Sequence, residues 1–151
     1  MSKFEIEIIH YLEQEGPVAE IYYDSIQWAE ITKKKEVVTI EFYPHPSKEY
    51  WEFPCEEAIN ILEKTKTKLL MQSNKGNFSE RMTPQDPKHV NELAEKVLKE
   101  ILDHPEKVVK QYTNRRYGPV IEVEAPDLGG VRFTGDGKEM MGFMEPYWLK
   151  K

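Results

Sequence analysis

Apolar and polar residues change period several times along this chain, and each change marks an expected element. Near the start, Phe4, Ile8, Tyr11 and Leu12 share one helical face, and Ser2-Lys3-Phe4-Glu5 has capping-box spacing. That combination predicts a helix from about Lys3 to Gln14. Phe4, Ile6 and Ile8 also alternate, which leaves a strand open, and Gly16-Pro17 ends the segment. Val18–Tyr23, Ile26–Thr32 and Glu36–Tyr43 are rich in β-branched and aromatic residues, with Asp24-Ser25 and Lys33-Lys34-Lys35 between them. This is the pattern of a three-stranded antiparallel meander. In its third strand Val38, Ile40 and Phe42 alternate with Thr39, Glu41 and Tyr43, so one face is expected to be buried. Pro54, Glu56 and Glu57 open a helix through about Leu70, striped by Ala58, Ile61, Leu62 and Leu69.

Residues 71–82 (MQSNKGNFSERM) are polar and aperiodic, and read as a linker. Thr83-Pro84-Gln85-Asp86 starts another helix, in which Val90, Leu93, Ala94, Val97, Leu98, Ile101 and Leu102 form a continuous stripe ending near Asp103. Asp103-His104-Pro105-Glu106 is expected to cap a shorter helix through about Gln111. Pro119–Ala125, Val131–Thr134 and Glu139–Phe143 form a second meander, turned by Pro126–Gly130 and Gly135-Asp136-Gly137. The expected fold class is α+β, in two small units, α-βββ-α and then α-α-βββ, each with helices packed on one face of its sheet. The expected division is 1–71, a linker at 72–82, and 83–151, with the halves packed on each other because each is small for a stable core.

Composition narrows the class. At 39% hydrophobic and 32% charged, the 151 residues suit a globular protein. No apolar run is long enough to span a bilayer, and the acidic N-terminus lacks a signal-peptide pattern. The expected location is the cytoplasm. Cys55 is the single cysteine, consistent with a reducing compartment and with a small apolar side chain. The net charge of −6 is unevenly spread. All four arginines, Arg81, Arg115, Arg116 and Arg132, fall in the second half, and the first half has none. Arginine grips phosphates and carboxylates in forked geometry, so the halves are expected to do different jobs.

Candidate chemistry is sparse. There is no P-loop, dinucleotide glycine fingerprint, HExxH, paired CxxC or GxSxG elbow, and His10, His45, His89 and His104 lack metal-ligand spacing. No cofactor or metal is expected. Residues 106–117 (EKVVKQYTNRRY) interleave Lys107, Lys110, Arg115 and Arg116 with Tyr112 and Tyr117. Cations meet phosphates and rings stack on bases, so Lys110, Tyr112, Arg115, Arg116 and Tyr117 are RNA-binding candidates. A solvated helix end is an equally good reading. Metal-independent RNA cleavage needs a base near the 2′-hydroxyl, an acid near the leaving oxygen and cations around the phosphate. Glu122 as base, beside Arg132 on a neighbouring strand, and His104 as proton shuttle would meet that need. The simpler readings are a cross-strand ion pair for Glu122 and Arg132, and a capping or surface role for His104. In the first half, Tyr22, Tyr23, Trp28, Tyr43, Tyr50 and Trp51 mix with Glu20, Asp24, Glu30, Glu41 and Glu52. This is an acidic-aromatic surface able to cover a cationic site; a small core with a wet acidic face is the plainer account.

From about His104 to Trp148 the chain resembles the tRNA- or RNA-cleaving C-terminal domains of contact-dependent growth-inhibition and Rhs-type toxins. The resemblance rests on YGPVIEV at 117–123, a PD-x-GG turn followed by VRF at 126–133, GDGK at 135–138 and GFMEP at 142–146. It implies the barnase–EndoU–colicin–RelE class, with helices on a small antiparallel sheet whose face holds RNA, and favours Arg132 and Glu122 as catalytic residues. From about Glu20 to Leu70, EIYYDSIQWAEI, VTIEFYPHP and WEFPCEEAINILEKTKTKLL resemble small acidic proteins encoded near such toxins. That implies an immunity-like module. The expected function is an RNA-binding or RNA-cleaving toxin-like half held inactive by an attached acidic half. Its expected partners are RNA (tRNA), the other half of the chain, or a cognate toxin or immunity protein, and no membrane. The alternative is a single integrated α+β domain that binds a protein and catalyses nothing.

Overall fold

The computed structural model describes residues 2–12, 14, 16–74 and 87–144, with the side chains of 72–74 and 87–94 excepted. Its strands are β1 (Phe4–Tyr11), β2 (Val18–Tyr23), β3 (Ile26–Lys34), β4 (Val37–Phe42), β5 (Val108–Asn114), β6 (Gly118–Ala125), β7 (Gly129–Thr134) and β8 (Met140–Met144). Two helices, α1 (Cys55–Asn74) and α2 (Pro87–Leu102), connect β4 to β5 among the described residues. All eight strands join one antiparallel sheet in the order β4-β3-β2-β1-β8-β7-β6-β5.

This corrects the expected α+β class of two small helix-rich units. The molecule is a half-barrel of eight strands with two described helices. Two segments account for the difference. Phe4–Tyr11 is a strand, because the period-two alternation of Phe4, Ile6 and Ile8 against Glu5 and Glu7 lets one side be buried and the other stay polar. The apparent capping box is a local turn, in which the Phe4 amide donates to Ser2 Oγ at 3.2 Å. Val108–Asn114 is likewise a strand, as its β-branched Val108, Val109 and Thr113 favour. The turn before it is tied by the Glu106 amide, which donates to His104 Nδ1 at 3.0 Å. With these two additions each meander gains a fourth strand, and β1 pairs with both β2 and β8, joining the two into one sheet.

Other expectations find their elements. β2, β3 and β4 lie within a residue or two of the ranges predicted, and so do β6, β7 and β8. Asp24-Ser25 and Lys35-Glu36 have positive φ, as two-residue hairpin turns require. The linker expected at 71–82 begins inside α1, and from residue 75 it lies outside the described residues, as do the Thr83–Asp86 helix start and Pro146.

Paired residues of an antiparallel sheet share a face. Through the chain of partners Ile21–Ile6, His10–Phe143–Val131–Val123, both helices therefore cover the same face. Phe4, Ile6, Ile8, Ile21 and Ile31 form one core with Leu69 of α1; Val123, Val131 and Phe143 form a second with Ile101 of α2. The opposite face carries a small apolar cluster of Ile9, Val18 and Met144 and is otherwise largely polar. Glu7, Glu20, Glu30 and Glu41 stand side by side across β1 to β4, and Tyr11, Gly142, Arg132, Glu122 and Lys110 across β1 and β8 to β5. β2 and β5 are five strands apart in this order, yet the Asn114 amide reaches Glu20 at 2.9 Å and the Tyr22 and Tyr112 rings meet edge-on at 5.7 Å. The sheet is rolled about its polar face.

Gly142 sits in register between Tyr11 and Arg132, at the junction of the two meanders. A Cβ there would stand 2.5 Å from the His10 carbonyl oxygen. Gly142→Ala is expected to lower stability by about 1–3 kcal/mol, the usual range for overpacking, measured as a shift of the urea midpoint at unchanged slope.

Candidate functional site

The polar face closes on a network centred on two ions without solvent exposure. Glu20 on β2 and Arg132 on β7 are each 0% exposed. Arg132 Nη2 donates to Glu20 Oε1 at 2.8 Å and Nη1 to Glu20 Oε2 at 3.1 Å. Glu20 also accepts from Tyr11 at 2.7 Å, from Tyr22 at 2.9 Å and from Asn114 at 2.9 Å. Arg132 donates further to the hydroxyls of Tyr11 at 2.8 Å and Tyr112 at 2.6 Å. Buried ions persist only when paired and hydrogen-bonded, and this pair is both.

Tyr112 on β5 links this network to Glu122 on β6. Its hydroxyl donates to Glu122 Oε1 at 2.7 Å while accepting from Arg132. Glu122 is 0% exposed, and neither its Oε2 nor Arg132 Nε has a hydrogen-bond partner among the described residues. Tyr112 is half-buried and lines a cavity of about 360 Å³ with Glu5, Glu7, Tyr22, Lys110 and Gln111. Lys110 is exposed and pairs with Glu124 at 3.7 Å.

Burial opposes the charge on Glu20, but the Arg132 charge and hydrogen bonds, with the Tyr11 and Tyr22 hydroxyls, outweigh it and lower the carboxyl pKa. Burial also opposes the charge on Arg132, and Glu20 more than restores it, raising the guanidinium pKa. Burial pushes the Tyr112 phenol well above its ordinary value although Arg132 pulls it down, so the phenol is neutral at physiological pH.

The structure thus brings Lys110, Tyr112, Glu122 and Arg132 together on one face. His104 lies apart, in the turn after α2. That helix covers the face opposite Glu122 and Arg132, and His104 Nδ1 accepts the Glu106 amide. The β5–β6 turn carries Arg115, Arg116 and Tyr117 across the open side of the half-barrel. The Arg115 amide donates to Gln27 Oε1 at 2.8 Å, and its Nη1 to the Pro44 carbonyl at 2.7 Å. Arg116 is held by Glu30 and Glu41. Burial raises the Glu30 pKa more than Arg116 lowers it, whereas Glu41, bound also by Lys34, is lowered. The Tyr117 ring packs tilted against that of Tyr11, with centroids 5.0 Å apart. Sequence reasoning left out Asn114, read Tyr11 as part of the apolar face of an N-terminal helix, and read Glu20 and Tyr22 only as part of an acidic-aromatic surface. The signal for the last two was the placing of both on the same side of β2, alternating with Ala19 and Ile21.

Because the folded Glu20 carboxyl lies below its ordinary value of 4.5, the pair's contribution is complete above about pH 4.5 and is lost as pH falls through the lower folded value. Glu20→Gln leaves Arg132 buried without a counter-charge. It is expected to cost about 3–5 kcal/mol at pH 7, with the gap to the natural protein narrowing on acidification below about pH 4.5. Urea unfolding of both proteins across pH 3–7 measures this.

Among the described residues no helix is long and apolar enough to cross a membrane. Neither a curated protein nor a solved structure matches the chain. A family model for the CdiA C-terminal tRNase toxin domain matches residues 70–145, half of the 151 residues. This span holds β5 to β8 with Lys110, Tyr112, Glu122 and Arg132, and the chain belongs to the CdiA C-terminal tRNase toxin domain family.

Proposed function

We propose that this protein cleaves tRNA without a metal ion, at the cavity floored by Tyr112. The observation that carries the reading is the Tyr112 hydroxyl, held between the Glu122 carboxylate and the Arg132 guanidinium at the edge of an open cavity. The phenolic oxygen has two lone pairs, and Arg132 uses one. The other accepts the proton of a substrate 2′-hydroxyl while the phenol's own proton passes to Glu122. Glu122 is then protonated, the 2′-oxygen attacks the adjacent phosphorus, and the bond from phosphorus to the 5′-oxygen breaks, leaving a 2′,3′-cyclic phosphate and a 5′-oxygen that takes its proton from water. Lys110 meets the phosphate as negative charge builds, and Arg132 steadies the phenolic oxygen from behind. Glu122 and Arg132 act through Tyr112, since neither reaches solvent. His104, on the helix-covered side of the sheet, has no part in this scheme.

The assignment of residues 1–71 as an immunity-like, silencing module is supported by one feature. Glu30, Glu41 and the Pro44 carbonyl occupy Arg116 and Arg115, two of the candidate RNA-binding cations. On that reading the turn is masked, and RNA gains access to it only when those contacts open. The continuous sheet supports the contrary reading of one working unit.

The test is cleavage of total tRNA by the purified full-length chain in the presence of a chelator. Tyr112→Phe is expected to reduce cleavage at least 100-fold with folding retained, and Lys110→Ala about 10-fold. Glu30→Gln with Glu41→Gln is expected to tighten RNA binding if the turn is masked, and to leave it unchanged if it is not. Salt-sensitive RNA binding without cleavage, or Tyr112→Phe cleaving at the natural rate, rejects the catalytic scheme.

A further inference from the structure

We propose that Glu20 is a positioning residue for the tRNA-cleaving site, so that the first half of the chain completes the site. The inference rests on the reading of Tyr112 above and deepens it. The family-matched segment begins at residue 70, yet the groups that fix Arg132 come from β1 and β2. Glu20 holds both terminal nitrogens of Arg132, and Tyr11 holds one of them. The nitrogen that Glu20 Oε1 receives, Nη2, is the same one that donates to Tyr112. A shift of Glu20 therefore moves the donor that sets the Tyr112 hydroxyl.

Glu20 is itself held on three sides. Tyr11, Tyr22 and Asn114 each donate to it, and Tyr22 also contacts the Tyr112 ring. Asn114 belongs to the family-matched segment, so the contact runs from each half to the other. Among the described residues Glu20 is the one carboxylate in a salt bridge with Arg132. Glu122, its register neighbour on β6, pairs with Tyr112 instead.

Glu20→Asp keeps the charge and withdraws the carboxylate by one methylene, and Tyr22→Phe removes a single hydrogen bond from Glu20. A displacement of about 1 Å in a supporting group costs on the order of 100-fold in rate. Glu20→Asp is therefore expected to lower kcat roughly 10- to 100-fold at unchanged KM, and Tyr22→Phe several-fold. Ile31→Val, in the core against α1, serves as a control for stability loss and is expected to leave kcat unchanged. Carbon-13 NMR of ring-labelled tyrosine, with Tyr112 assigned through Tyr112→Phe, is expected to show the Tyr112 Cζ resonance displaced in Glu20→Asp and unmoved in Ile31→Val. A Tyr112 resonance unaffected by Glu20→Asp, or kcat falling equally in Ile31→Val, overturns the positioning role. If the natural protein cleaves no tRNA, the catalytic reading falls by itself, while the resonance still decides whether Glu20 sets Tyr112.

Discussion

The buried ion pair between Glu20 and Arg132 is the constraint on which the rest of the structure depends. Removing two charges from water costs several kcal/mol per ion, and only close pairing with full hydrogen bonding offsets it. Here the partners are 112 residues apart in sequence, on β2 and β7. The pair can form only if β1 and β8 join the two meanders in the register observed and the sheet rolls about its polar face. Tyr11, Tyr22, Tyr112 and Asn114 add hydrogen bonds from both halves, and of the pair's polar atoms Arg132 Nε alone has no partner among the described residues. A slip of one residue in β2 would turn Glu20 into the apolar core and bring Ile21 or Ala19 against Arg132. Specific register is thus tied to electrostatic satisfaction as much as to apolar burial.

Much of this was legible in the sequence where the pattern was strong. The turns at Asp24-Ser25 and Gly135-Asp136-Gly137 bracket strands of clear alternation, and the adjacency of Glu122 and Arg132 follows from their positions on neighbouring strands. The errors arose where two periods fitted the same residues. Phe4, Ile8, Tyr11 and Leu12 suit a helix as well as Phe4, Ile6 and Ile8 suit a strand, and only tertiary pairing of β1 with β2 and β8 decides between them. That choice, together with the strand at Val108–Asn114, separates two small α+β units from one eight-stranded sheet. Glu20 was hidden for a related reason. A carboxylate alternating with Ala19 and Ile21 looks like a solvated outer face until the sheet curls and turns that face inward.

The uneven arginine distribution acquires a physical meaning in the folded chain. Three of the four arginines end on oxygen atoms of the arginine-free half: Arg132 on Glu20, Arg116 on Glu30 and Glu41, and Arg115 on Pro44. Arg81 lies outside the described residues. The charge split that suggests two units with different jobs is, in the structure, complementarity across the rolled face of one sheet. Arginine suits this role because its planar fork meets two acceptors at once and stays charged when buried.

These pairings bear on how such a site would meet RNA. With Arg115, Arg116 and Arg132 occupied internally, the exposed cation at the cavity is Lys110, beside Glu5 and Glu7. A broad basic surface, the usual source of nonspecific affinity, does not line it. On the proposed reading the recognition that remains is local, through the Lys110 ammonium, the Tyr112 hydroxyl and the edges of Tyr22 and Tyr112. Such a cavity gains little from long-range attraction and much from fit, because its charges are fixed by neighbours before any substrate arrives. The internal pairing that removes Arg132 from solvent is also what holds the Tyr112 hydroxyl in one orientation. In this fold, giving up a cationic surface and building an ordered polar site are two results of the same set of hydrogen bonds.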